Sequence, residues 1–305
     1  MIARSDLQVS ILAGIALCWI VSTVKAEPYI GQFELKTLES EPGRFEFQSQ
    51  NAWSWNQPRR RSATGAEGIV FDENSVIRSR HALELEAGIT RRLKTRVGIE
   101  LEKERIDEPE TLRQANDFGS MRLEEFGAEL IAILVPREED GFGFGIVAEL
   151  EWPVDEARHL VLGPIFEFQS GRWFAAAIPT LVHAFGGEAE DGGKFDNKWD
   201  FAYATQLAYT FSDTWKLALE GYGTVERLGR TGHPSESARL FGDFDQHRLG
   251  PVLYYTTRLG GPRRASRSND RNESGTSLTI GLGLLEGLND NTPEHTLKLS
   301  VEVDF

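Results

Sequence analysis

The chain ends His295-Thr-Leu-Lys-Leu-Ser-Val-Glu-Val-Asp-Phe305. Leu297, Leu299, Val301, Val303 and Phe305 share one parity; Thr296, Lys298, Ser300, Glu302 and Asp304 share the other. Successive side chains of an extended chain point to opposite faces, so this stretch is a strand with one apolar face and one wetted face. A strand of a soluble sandwich alternates in the same way. The rest of the sequence has to show what each face meets.

At the other end, Ile11 to Val24 is nearly continuously apolar, and Val24-Lys25-Ala26 puts a small residue before a cut. Residues 1–26 are therefore expected to be a cleaved signal peptide, although Arg4 is its only early positive charge. The run is short for a membrane-spanning helix. Cys18 is the one cysteine. Leu17 before it excludes lipidation, and its loss with the leader removes any disulfide or thiolate site. The chain carries 33 Lys+Arg against 47 Asp+Glu, net −14. Losing Arg4, Lys25 and Asp6 makes the remainder one unit more negative, which argues against nucleic acid as a partner. No later stretch reaches the length of a helical membrane span.

Inward from the closing strand the same alternation recurs. Phe45 to Trp55 is the first strand expected after a periplasmic lead-in over 27–43, which holds the breakers Pro28, Pro42 and Gly43. Leu83, Leu85, Ala87 and Ile89 oppose Glu84 and Glu86. After a turn at Thr90-Arg91-Arg92, Val97, Ile99 and Leu101 oppose Glu100 and Glu102, a hairpin signal. Phe126 to Leu134 opposes Glu125 and Glu129; Phe142 to Trp152 opposes Glu149 and Glu151. Leu160 to Phe168, Trp173 to Phe185, Phe201 to Phe211, Trp215 to Glu220, Leu249 to Tyr255 and Leu278 to Leu284 complete the set.

The expectation is an all-β fold: one antiparallel transmembrane β-barrel over 44–305, of about twelve strands. Stretches 56–75, 105–118, 186–198 and 228–245 read as long loops on one side, with short turns near 91, 138, 171 and 213 on the other. The long basic connection 260–275 breaks this asymmetry. It is either an insertion or the sign of a miscounted strand pair. Trp53, Trp55, Trp152 and Trp199 fall at the outer strand ends and Trp173 and Trp215 at the inner ends, where amphipathic rings form interfacial girdles.

The candidate lumen-lining residues are Glu84, Glu86, Arg96, Glu100, Glu102, Glu129, Glu149, Glu151, Glu167, Lys216, Glu220, Arg248, Lys298 and Glu302. Two readings stay open. One is a hydrated acidic lumen preferring cationic or neutral polar solutes; the other is a small interior filled by mutually paired charges. A row of inward Glu does not imply acid–base catalysis. The one His-x-Ser, His233-Pro234-Ser235, sits in a loop and is a poor hydrolytic pair. No catalytic residue is assigned. The histidines are scattered without metal-ligand spacing, so no metal or cofactor is expected. Asp191 and the Gly-rich 186–193 stretch lack a calcium-loop pattern. Gly141-x-Gly-x-Gly145 reads as an inward strip of small residues, not a phosphate cradle.

The final strand, ending on Phe305, resembles the closing strand of bacterial outer-membrane barrels. That implies an address in the outer membrane of a Gram-negative cell, Phe305 as an insertion signal, and lipid and the barrel-assembly machinery as partners. The tail Gly287-Leu-Asn-Asp-Asn-Thr-Pro-Glu-His295 with its closing strand resembles the family labelled MetA-pathway of phenol degradation. The hairpin Leu83 to Leu101 is similar to that family's Gly-Ile-Thr-Asp-Arg-Leu hairpin, with Arg91 where Asp is usual. The resemblance implies an outer-membrane barrel passing small, aromatic or hydrophobic molecules, and no binding residue carries over. A channel for passive uptake of small solutes is the first expectation. A non-conducting structural or adhesive barrel is the alternative, with an outer-membrane hydrolase behind it.

Overall fold

The computed structural model describes residues 33–56, 61–63, 69–71, 75–106, 120–138, 140–154, 157–186, 198–225, 228–231, 245–259, 276–290 and 292–305. The expected signal peptide and the His233-Pro234-Ser235 pair lie outside these residues.

The strands in chain order are β1 (Phe45–Trp55), β2 (Arg61–Ala63), β3 (Ile69–Phe71), β4 (Ser75–Thr90), β5 (Leu93–Ile106), β6 (Arg122–Val135) and β7 (Gly141–Pro153). They continue as β8 (Arg158–Ser170), β9 (Trp173–Phe185), β10 (Lys198–Thr210), β11 (Trp215–Val225), β12 (Gln246–Leu259), β13 (Thr276–Gly287) and β14 (His295–Asp304). All but β2 and β3 form a single closed antiparallel barrel in which β1 pairs with both β4 and β14. Closure satisfies every strand's backbone groups within the sheet, the condition for crossing lipid. At the seam Phe45 and Phe305 exchange both backbone hydrogen bonds, at 3.0 and 2.9 Å, and their rings stack 6.2 Å apart.

The strand count resolves the anomaly at 260–275. β12 and β13 are paired from Arg248↔Gly287 to Leu259↔Thr276. The connection therefore lies at the same end as residues 91–92, 136–140, 171–172 and 211–214 and the Phe45–Phe305 seam. No strand pair was miscounted; this is extra length at the short-turn end.

Two expectations need correction. The stretch 56–75 is not all loop: β2 and β3 form a ribbon pairing Arg61↔Phe71 and Ala63↔Ile69, and β4 begins at Ser75. β5 likewise runs on to Ile106. β2 (Arg61-Ser62-Ala63) and β3 (Ile69-Val70-Phe71) are three residues each, too short for period-2 alternation to register, and the added ends of β4 and β5 do not alternate cleanly, yet backbone pairing needs no alternating face. Between β5 and β6 a register shift moves the partners from Glu100↔Glu125 to Leu101↔Leu123, so the alternation of β6 slips at Glu124.

The outward rows are apolar and exposed: Val97 54 %, Leu207 49 %, Leu282 54 %. An apolar surface wrapping the whole molecule is tolerated where it meets lipid. Among the described residues no helix is long and apolar enough to cross a membrane.

Candidate functional site

Every lumen-lining candidate lies on the inward parity of its strand: Glu84 and Glu86 on β4, Arg96, Glu100 and Glu102 on β5, Glu129 on β6, Glu149 and Glu151 on β7, Glu167 on β8, Lys216 and Glu220 on β11, Arg248 on β12, Lys298 and Glu302 on β14. The period of two carries this directly. The six tryptophans among the described residues point outward. Trp53, Trp55, Trp152 and Trp199 stand at the end bearing 154–157 and 186–197, and Trp173 and Trp215 at the seam end.

The lumen is not empty. The stretch expected as a periplasmic lead-in turns into the barrel from the seam end and lies extended inside it. Ser40 Oγ donates to the Thr90 carbonyl at 2.7 Å near the rim. Also at the rim, the exposed Glu39 pairs with Arg137 of the β6–β7 turn; farther in, the Leu38 amide donates to Glu167 at 2.9 Å. Lys94 donates to Thr37 Oγ1 at 3.1 Å. Lys36 reaches Glu129 and, at 3.0 Å, Glu149; Glu34 pairs with Arg96. At the far tip the Phe33 ring meets Tyr222 edge-on at 5.4 Å, and Arg248 lies over it at 5.1 Å. Phe33, Glu34, Lys36 and Leu38 are all buried. Burial alone would lower the Lys36 pKa; Glu129 and Glu149 beside it outweigh burial and hold it above the ordinary lysine value.

The wall is shaped for this segment. Gly143 and Gly145 of β7 point inward at Leu38. A Cβ on Gly145 would sit 2.5 Å from Leu38 Cδ2, and one on Gly143 3.0 Å from Leu38 Cδ1. The small strip expected from Gly141-x-Gly-x-Gly145 is thus a groove for a leucine. The sequence reading missed Glu34, Lys36 and Leu38. Its available signal was the alternation Phe33-Glu34-Leu35-Lys36, an amphipathic stretch just before the breakers Pro42-Gly43.

Across the lumen the interior is packed. Glu220, fully buried, accepts from Gln206 Nε2 at 2.6 Å, Tyr222 Oη at 2.6 Å, Tyr254 Oη and Lys298 Nζ at 2.7 Å. Four strands thus share one saturated carboxylate, as buried charge requires. Ile131, Ile133, Val147 and Ile165 are at most 1 % exposed around Leu38. On the charged wall, Arg80 pairs with Glu102 at 2.6 Å, and Arg96 and Lys94 each bind Glu86 at 2.8 Å. Mutual pairing and solvation therefore coexist. A polar cavity of ≈ 20 Å³ remains beside Lys36, lined by Glu84, Arg96, Glu100, Glu125, Glu129 and Glu149 with Ala82, Gly98 and Gly127 between them. That is room for about one water.

The fold also assembles what the sequence left scattered. Glu125, Glu151 and His159, on adjacent strands, bring their ligand-type atoms within 4.8 Å of one another, buried in the lumen. His159 Nδ1 stands 3.2 Å from Glu151. Such a set suits a divalent cation or a histidine held between carboxylates. Four other histidines lie on the outward face beside aromatic rings: His81 by Trp53, His295 by Trp55, His183 by Trp199 and His247 by Tyr203.

No protein-family model and no curated protein matches the sequence. Among solved structures, an outer membrane channel from Pseudomonas putida F1 superposes with a TM-score of 0.52 at 12 % identity, covering 89 % of this chain and 99 % of that one. The NanC porin is more remote, with a TM-score of 0.47 at 7 % identity, covering 86 % of this chain and 98 % of its own. At such identities the likeness concerns the fold: the chain has the architecture of a bacterial outer-membrane β-barrel.

Proposed function

We propose that this barrel is an outer-membrane channel for passive uptake of small solutes, closed from the periplasmic side by its own segment 33–42. The carrying observation is how that segment is held. Glu34, Lys36 and Glu39 bind the wall through side-chain ion pairs, while β1, which follows it, already has both its strand partners. The segment therefore leaves the lumen without opening the sheet. The inward carboxylate and cation rows supply a wetted path once it does.

In this reading the outward rows meet lipid, the six outward tryptophans of the strands mark its two interfaces, and Phe305 serves the assembly machinery. The resemblance of the tail to the MetA-pathway of phenol degradation family belongs to the same reading and extends the solute range toward small aromatic molecules. A second reading, a non-conducting structural barrel, is favoured by the buried apolar cluster to which Leu38 belongs together with Ile131, Val147 and Ile165.

Single-channel recording in planar bilayers separates the two. The wild type is expected to be mostly closed with brief openings. A Glu34→Gln/Lys36→Met double variant should raise open time by roughly tenfold or more, since 1.4 kcal/mol suffices for that factor and breaking a buried pair costs more. Silence in both proteins would remove the transport claim.

A further inference from the structure

Lys36 is a primary ammonium carried into the middle of the lumen by the chain itself. Glu129 accepts from it, Glu149 lies at 3.0 Å, and Glu34 of the same segment stands 3.7 Å away. The cavity beside it is lined by Glu129 and Glu149 again, and by Glu84. Glu84 is in an unusual state. Its side chain is only 10 % exposed and its Oε2 has no hydrogen-bond partner. Arg96 Nη1, at 3.7 Å, is beyond hydrogen-bond reach and committed to Glu34, while Nη2 of the same guanidinium serves Glu86. Glu129 Oε1, also facing Arg96 only at 4.0 Å, has no hydrogen bond either.

Buried carboxylate oxygens without donors are costly, and a cation brought to them removes that cost. With Lys94 held by Glu86, the carboxylates Glu34, Glu84, Glu129 and Glu149 face Lys36 and Arg96 among the described residues. The local balance lacks positive charge. An ammonium has three N–H donors. Lys36 spends two of them, on Glu129 and Glu149, and Glu84 lines the same cavity with an acceptor oxygen still without a donor.

We propose that Glu84, Glu129 and Glu149 form a lumenal subsite for a small solute bearing a primary ammonium group, and that Lys36 occupies it in place of that solute. A solute ammonium entering the cavity takes Glu84 first and then competes with Lys36 for Glu129 and Glu149. Loss of those two contacts loosens the segment that closes the lumen. The inference names a solute class for the channel proposed above and rests on that reading for its consequence in transport; the binding step stands apart from it.

Isothermal titration of the purified, folded barrel in uncharged detergent tests the binding step, with 1,4-diaminobutane as the probe and 1,4-butanediol and Mg²⁺ as comparison arms. Saturable diamine binding is expected, about tenfold tighter in Lys36→Met, where the tethered competitor is gone, and about tenfold weaker in Glu84→Gln. The diol should give no saturable heat. Diamine binding indifferent to both substitutions, equal binding of the diol, binding of Mg²⁺ without the diamine, or no binding to either wild type or Lys36→Met would each overturn the assignment. Glu84 Oε2 accepts no hydrogen bond and glutamine has the same shape, so Glu84→Gln is expected to keep the fold and decides the matter if Lys36→Met fails to assemble. A barrel that binds the diamine but never conducts fails the channel reading and leaves the subsite standing.

Discussion

At the scale of single residues, two carboxylates of the same inward rows have opposite circumstances. Glu220 is saturated by Gln206, Tyr222, Tyr254 and Lys298, while Glu84 keeps an oxygen without a donor. The first is structural. Glu220→Ala leaves the Lys298 ammonium and two phenols buried without their acceptor, and should lower stability by about 3–5 kcal/mol, the usual effect of breaking a buried pair. Glu220→Gln keeps the shape and an acceptor and should cost less. Denaturant unfolding in micelles measures both; an alanine variant within about 1 kcal/mol of wild type would show that Glu220 does not hold these strands together. Parity alone reveals that both residues face inward. It cannot reveal which one is satisfied, because Glu220's partners come from β10, β12 and β14 as well as its own strand.

At the scale of elements, the inserted segment and β7 are made for each other. Leu38 lies on the inward glycines of a strand whose other inward residues include Val147, Glu149 and Glu151. Gly145→Leu fills that groove and should expel the segment; its Cβ also stands 3.0 Å from the Ala132 carbonyl oxygen of β6, so heat-modifiable migration on a gel is read alongside to confirm that the barrel has closed. Lys36 is buried in the wild type, so trypsin should cut after it slowly there and rapidly in Gly145→Leu, read as loss of the segment by mass spectrometry. Equal protection in both proteins would mean that the groove does not hold the segment. The same scale explains why two connections read as loop: β2 and β3 are three-residue strands and the loop-side ends of β4 and β5 alternate poorly, yet all of them pair through backbone groups, and an alternation test is blind to such strands.

For the whole molecule, the decisive fact is a cylinder whose outside is apolar all the way round. Leu282 sits mid-strand on β13, outward, between Leu253 and Leu299. Arginine there should cost roughly 2–4 kcal/mol in a bilayer, as charge at the midplane of barrel strands does. Unfolding from lipid vesicles, compared between wild type and Leu282→Arg, checks it; an unaffected variant would mean that this face does not meet hydrocarbon. Much of this was legible from the chain alone. Period-2 alternation assigns each residue to a face, the strands add up to twelve, and the inward rows and outward tryptophans follow with no knowledge of packing. What the alternation cannot carry is the content of the lumen. Whether Phe33 to Ser40 lies outside the barrel or inside it, whether Glu125, Glu151 and His159 meet, and which carboxylates find cations all depend on side chains far apart in sequence converging across a closed ring. Strand parity is a local property of the backbone and shows in the sequence; convergence across the ring exists only once the barrel has closed.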